Sequence, residues 1–158
     1  MKLRQQVEPV GTLSIYKGYA DGRKELFFKE DNLIVKAAKQ YMLSQVYAVG
    51  VISDPIVSLK VGTGGNIDPE GLYPKAEDPL AADLDTPILT IPVVYVIDND
   101  VISVTYLADV DQSQCNGEQI TEAGLFKQGG SIFNVKNHPG INKTSDFSIH
   151  YSWTIKFA

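Results

Sequence analysis

The closing stretch of the sequence, Ser145 to Phe157, constrains the fold more than any other. Phe147, Ile149, Tyr151, Trp153, Ile155 and Phe157 fall on alternate positions, with Ser148, His150, Ser152, Thr154 and Lys156 between them. Successive side chains of a strand point to opposite faces, so this pattern predicts a long β-strand with one apolar and one polar face. The stretch also holds the single tryptophan of the chain. A bare apolar stripe of this length invites aggregation, so a central core strand is expected here.

Other strands are expected at Leu13–Tyr19 and Glu25–Lys29, joined by an Asp21-Gly22 hairpin turn whose residues tolerate positive φ. Asp31-Asn32 reads as a helix N-cap. Leu33, Ile34, Ala37, Ala38, Tyr41, Met42 and Val46 then recur at three- and four-residue spacing, which predicts an amphipathic helix to about Ala48, ending near Gly50. Further strands are expected at Pro55–Val61, Ile88–Ile97, Val101–Ala108, Ile120–Lys127 and Ser131–Lys136. Pro92 cannot donate a ladder bond, so its segment is expected at a sheet edge or bent by a bulge. His138-Pro139-Gly140 and Asn142 read as a last loop. The sum is a mainly β domain, an antiparallel β-sandwich with one early helix and a long loop between strands.

A chain of 158 residues suits one domain with a sizeable core. Residues 1–11 show little periodicity and read as an N-terminal arm, either frayed or laid over a neighbouring subunit; residues 12–158 form the single β domain. No apolar run approaches the roughly 20 residues of a membrane helix, and no basic-plus-apolar leader opens the chain, so neither a membrane nor the secretory route is indicated. Between Gly62 and Thr86, six acids (Asp68, Glu70, Glu77, Asp78, Asp83, Asp85) face the single base Lys75, which places the whole net charge of −5 there. A nucleic-acid surface needs clustered Lys and Arg instead. The loop also carries Pro69, Pro74 and Pro79, and a connection this long is usually functional or ordered by a partner.

The residues with chemical potential do not assemble into a catalytic motif. Gly62-Thr63-Gly64-Gly65-Asn66 lacks the Gly-Lys-Ser/Thr of a phosphate loop and reads as a tight turn. The acids of the loop 62–86 and the pair Asp98/Asp100 lack EF-hand spacing; Asx turns account for the pair, with an adventitious cation as the alternative. His138 and His150 are the two histidines, and no metal-ligand spacing accompanies them. No nucleophile elbow occurs, and Cys115 reads as an idle thiol. No catalytic, cofactor or metal residue is therefore assigned. Glu122 is different, because a glutamate inside an apolar strand is costly to bury unpaired. Its partner is expected to be Lys143 or a backbone amide of the 62–66 turn, rather than solvent at a strand edge.

The order N-L-I-V (32–35), V-G-T-G-G (61–65), D-T-P-I-L (85–89), I-T-E-A-G-L-F (120–126), G-S-I-F (130–133), Lys143 and W-T-I-K-F (153–157) resembles small structural proteins of tailed bacteriophages. It is similar to the virion-attached N-terminal domain of tail-collar fibre proteins, over roughly Asn32 to Phe157. The resemblance implies a non-enzymatic virion component that works by protein–protein assembly: a tail, neck or collar, or baseplate adaptor or a fibre-docking piece. It implies partners in further copies of the chain and other virion proteins, with assembly in the host cytoplasm. No shaft or receptor-binding tip follows the domain in this sequence, which favours a joining role. The alternative is a carbohydrate- or receptor-binding β-sandwich, which needs exposed Tyr or Trp platforms.

Overall fold

The computed structural model describes residues 9–47 and 53–157. Nine strands and one helix follow in order: β1 (Pro9–Tyr19), β2 (Lys24–Ile34), α1 (Lys36–Tyr47), β3 (Ile56–Gly62), β4 (Pro87–Pro92), β5 (Val94–Asp98), β6 (Ser103–Val110), β7 (Gln119–Lys127), β8 (Ile132–Asn142) and β9 (Phe147–Phe157). The fold is mainly β and every strand pairing is antiparallel. All nine strands lie in one hydrogen-bonded order, β4-β3-β7-β8-β2-β1-β9-β6-β5. The order bends round until β4 lies against β6, so the sheet is nearly closed.

The terminal strand behaves as its alternation requires. β9 is clamped between β1 and β6 and pairs with β1 along its full length, from Pro9↔Phe157 to Tyr19↔Phe147. Phe147, Ile149, Tyr151, Trp153 and Ile155 are buried, while Ser148, His150, Ser152 and Thr154 are partly exposed on the other face. Leu13 and Ile15 of β1 sit opposite Trp153 and Tyr151, and all four are buried.

Local signals gave way to distant ones in four places. β1 begins at Pro9, so residues 9–11 of the expected arm are strand; residues 1–8 lie outside the described residues. Asp31 and Asn32 belong to β2 instead of capping a helix, because β1 and Trp153 claim them: Thr12 donates to Asp31 Oδ1 at 2.9 Å and Trp153 Nε1 donates to Asn32 Oδ1 at 2.7 Å. The helix accordingly starts at Lys36, and Leu33 and Ile34 of its expected apolar face are strand. Ala38 of α1 is buried and Met42 half-buried, whereas Ala37 is exposed; Ala48 and Gly50 lie outside the described residues.

The segment 88–97 divides at Val93, whose amide bonds the Val57 carbonyl at 3.1 Å. Its halves, β4 and β5, become the two opposite edges of the sheet. His138, Pro139, Gly140 and Asn142, expected in a loop, extend β8, where Asn142 pairs with Gln119 of β7. The Asp21-Gly22 turn is as expected, with Gly22 at φ 83° and the Arg23 amide on Asp21 Oδ1 at 2.9 Å.

Replacing Trp153 with alanine removes the largest fully buried side chain and orphans Asn32 Oδ1. We expect a loss of about 3–5 kcal/mol, read as a lower urea midpoint by far-UV circular dichroism. A loss below about 1 kcal/mol would show that Trp153 is not a core anchor.

Candidate functional site

The strongest polar constellation centres on Glu122, in the middle of β7 and 1% exposed. Its Oε1 accepts the Gly64 amide at 3.0 Å and the Thr86 amide at 2.7 Å, and its Oε2 accepts the Asp85 amide at 2.9 Å. Thr121 adds a fourth tie, its Oγ1 accepting the Gly65 amide at 2.9 Å. The partner is thus the glycine turn, as one of the two expectations held, and not Lys143. A Cβ at Gly65 would run into the Thr121 carbonyl, and one at Gly62 into Glu122 and the Thr86 carbonyl. The glycines let the turn press its amides onto a carboxylate; they do not form a phosphate cradle.

The acidic loop behind this turn is ordered by the domain's own backbone. Gly140 donates to the Gly71 carbonyl at 2.7 Å, Lys36 to Pro79 at 3.0 Å and Lys75 to Gly65 at 2.8 Å. The Asn137 side-chain amide donates to the Lys75 carbonyl and its backbone amide donates to Glu77 Oε1, both at 3.1 Å. The acids have local work. Asp68 takes the Leu72 and Tyr73 amides, which hold its carboxyl below the usual range. Asp83 pairs with Lys60, Asp85 with Lys75, and Glu77 with Lys136. Asp98 caps the amides of Asp100 and Val101 in an Asx turn, at 2.9 and 3.3 Å. Among the described residues no group of three or more His, Cys, Asp or Glu converges as a metal site would require.

Lys143 is buried, and its ammonium donates to the Thr144 carbonyl at 2.7 Å, Asn116 Oδ1 at 3.0 Å and the Gln112 carbonyl at 3.3 Å. It therefore staples the 111–118 loop to the start of β9, and burial holds its pKa below the usual lysine range. Cys115 sits in that loop at φ 55°, half-buried, and desolvation raises its thiol pKa, away from nucleophile chemistry.

The two histidines do different things. His150 Nδ1 meets Asp109 Oδ1 at 2.7 Å, its Nε2 meets Ser148 Oγ at 3.1 Å, and Ser148 donates to the Gly18 carbonyl at 3.2 Å. With the serine proton spent on a carbonyl, the chain runs opposite to the proton flow of a serine nucleophile. It is a polar ladder across β6, β9 and β1, and the sequence pattern gave no sign of it. His138 is fully buried in β8 against the Phe28 ring, with Nδ1 on the Pro139 carbonyl at 2.8 Å and Nε2 without a protein partner among the described residues. Desolvation lowers its pKa to about 4.

An unbroken run of exposed apolar residues lies at the open edge of the sheet. Val94, Tyr95, Val96 and Ile97 of β5 are each 59–65% exposed, on both faces of the strand. Ladder pairs carry the core outward to this edge: Trp153–Tyr106–Tyr95 and Ile155–Val104–Ile97 each run from buried, through half-buried, to exposed. A groove of about 410 Å³ opens there, lined by Ile56, Tyr95, Ile97, Ile102, Val104 and Tyr106 among others. Ile102 forms its rim at φ 47°, a conformation β-branched residues seldom adopt. Pro92 marked this segment as a sheet edge or a bulge; that the run V-V-Y-V-I is exposed on both faces needed the topology to be seen. Trp153, by contrast, is wholly buried and cannot serve as a sugar platform.

No family model, curated protein or solved structure matches this chain. No described helix is long and apolar enough to cross a membrane.

Two outcomes test the polar groups. Glu122→Ala leaves three part-buried amides without their acceptor, so a loss of about 2–3 kcal/mol is expected, with the protease sensitivity of the 62–86 loop rising; unchanged melting would show that water replaces the carboxylate without cost. For His138, the folded pKa lies below the unfolded 6.5, so the unfolded chain binds the proton first. Stability is then full above about pH 6.5 and falls by about 3 kcal/mol as pH drops towards 4. Urea titrations should show this slope in the intact protein and a flatter one in His138→Gln; equal slopes would place the acid sensitivity elsewhere.

Proposed function

We propose that this chain is a structural protein of a tailed-bacteriophage virion, an adaptor or fibre-docking component of the tail, collar or baseplate that acts by assembly and without catalysis. One observation carries the reading. β5 ends the sheet with four exposed apolar residues on two faces, and an edge of this kind, free of proline and lysine, is one that soluble monomers avoid. The opposite edge, β4, is bounded by Pro87 and Pro92 and is guarded in the usual way.

The motifs behind the resemblance to tail-collar fibre domains add support. G-T-G-G, D-T-P and E-A-G-L-F meet in space, because Glu122 binds the amides of Gly64, Asp85 and Thr86. They thus form one folding unit, suited to a scaffold. The finer architecture we read as a flattened sandwich. β2 joins β8 through two residue pairs alone, Leu33↔Val135 and Ile34↔Asn134, which leaves the five strands ending in β5 and the four ending in β4 as two facing halves. A carbohydrate-binding module has less behind it, since Trp153 is core; Tyr95 and Tyr106, with centroids 6.4 Å apart, are the aromatic pair left for such a role.

Sedimentation velocity across a concentration series should show a discrete oligomer, and virions produced from the genome encoding this chain should contain it in several copies. A strict monomer at high micromolar concentration, absent from those virions by mass spectrometry, would overturn the reading.

A further inference from the structure

We infer that the open edge of β5 is covered by residues 3–7 of a second copy of this chain, added as an antiparallel strand. The inference rests on the assembly reading above and names the occupant of its surface.

The free edge asks for a short strand with apolar residues on alternate positions, since β5 has five residues and an uncovered apolar groove on one face. Charge narrows the choice. The hairpin 94–110 carries Asp98, Asp100 and Asp109 and neither Lys nor Arg. A matching strand is therefore apolar with basic residues at the end that meets Asp98.

Two candidates within a second copy fail this match. Another β5 would add a second acidic hairpin and no base. Another β4 presents Pro87 and Pro92, neither with an amide proton for the new ladder. The sequence ahead of Pro9, M-K-L-R-Q-Q-V-E, does match. Leu3 and Val7 share one face with Gln5 between them, and that face covers the groove when Leu3 lies opposite Ile97 and Gln5 opposite Tyr95; antiparallel addition in this register sets Lys2 opposite Asp98, with Arg4 next to it on the same face.

The registers place this segment in a neighbour and not in its own sheet. Pro9 lies opposite Phe157, Lys156 opposite Ser103, and Ser103 opposite Asp98. Pro9 thus lies level with Asp98, but with β9, β6 and β5 between it and the open edge. Four strand spacings, allowing for curvature, amount to roughly 15–19 Å. The two residue steps from Val7 to Pro9 span at most about 7 Å. A chain cannot lay residues 3–7 along its own β5, whereas a neighbouring copy can.

The test compares four forms of the otherwise complete chain by sedimentation equilibrium, with circular dichroism melting confirming that each is folded. Deleting residues 2–7 and Val96→Lys should each weaken self-association at least a hundredfold. Arg4→Glu should weaken it about fivefold, and adding Asp100→Lys to Arg4→Glu should restore it, as a solvent-exposed ion pair would. A chain with Gln5→Cys mixed with a differently tagged chain with Tyr95→Cys should yield a disulfide-linked pair carrying both tags, and neither chain should do so with wild type, whose Cys115 is half-buried. Unchanged association after the deletion overturns the inference. If Val96→Lys alone abolishes association, the edge binds another occupant and the assembly reading stands; if the intact chain never associates and is absent from virions, that reading falls too.

Discussion

The carboxylate of Glu122 accepts three backbone amides from residues 36, 37 and 58 positions earlier in the chain, and much of the fold follows from that fact. A buried carboxylate without donors is too costly to keep, and a turn pressed against a strand must place its amides somewhere. Each need meets the other. The strand β7 holds the two ends of the 62–86 loop, Gly64 on one side and Asp85–Thr86 on the other, with a single side chain. The loop is therefore closed at its base, and what lies between is held by ties within the loop, Asp68 to its own turn and Lys75 to Gly65, together with distant ones from Asn137 and Gly140 of β8. Lys143 does the converse elsewhere, a buried cation gathering the Gln112 carbonyl and Asn116 Oδ1 from the 111–118 loop. Both loops are fixed by a buried polar side chain, one on a strand and one in the β8–β9 connection.

How much of this was legible depended on whether the deciding interaction was local. The alternation in 147–157 has period two and one buried face, and it survives because nothing distant competes with it. Glu122 could be read for a similar reason: its burial demands donors, and a glycine-rich turn has free amides. The N-cap at Asp31-Asn32 was misread because the residue that claims Asn32 is Trp153, 121 positions away. The 62–86 loop has no periodicity, and its order comes from Glu122, Asn137 and Gly140, which no local pattern links to it. Pro92 signalled an edge or a bulge; that it separates two opposite edges became visible once β9 was seen between β1 and β6.

That division of one apolar run gives the two ends of the sheet unlike characters. β4 carries proline at both ends, whereas β5 carries none and leaves the last row of the core in the open. Two edges built from adjacent segments so differently give the molecule a direction: one end of the sheet is finished, and the other ends as though further strand were to follow. Such polarity suits a subunit that joins others in a fixed sense.

The placement of β9 also bears on how the molecule is made. β1 and β2 leave the ribosome first and can form their hairpin at once, but β1 then waits with Leu13 and Ile15 bare on its far edge. Their cover is Trp153 and Tyr151, more than 130 residues later in the sequence. β6 waits in the same way on its β9 side. Until Phe157 has cleared the exit tunnel the nascent chain holds two unpaired, sticky edges, and closure is one late step joining β1 to β9. Folding governed by so distant a pairing is slow, and a ribosome stalled anywhere short of β9 would release a product prone to clump.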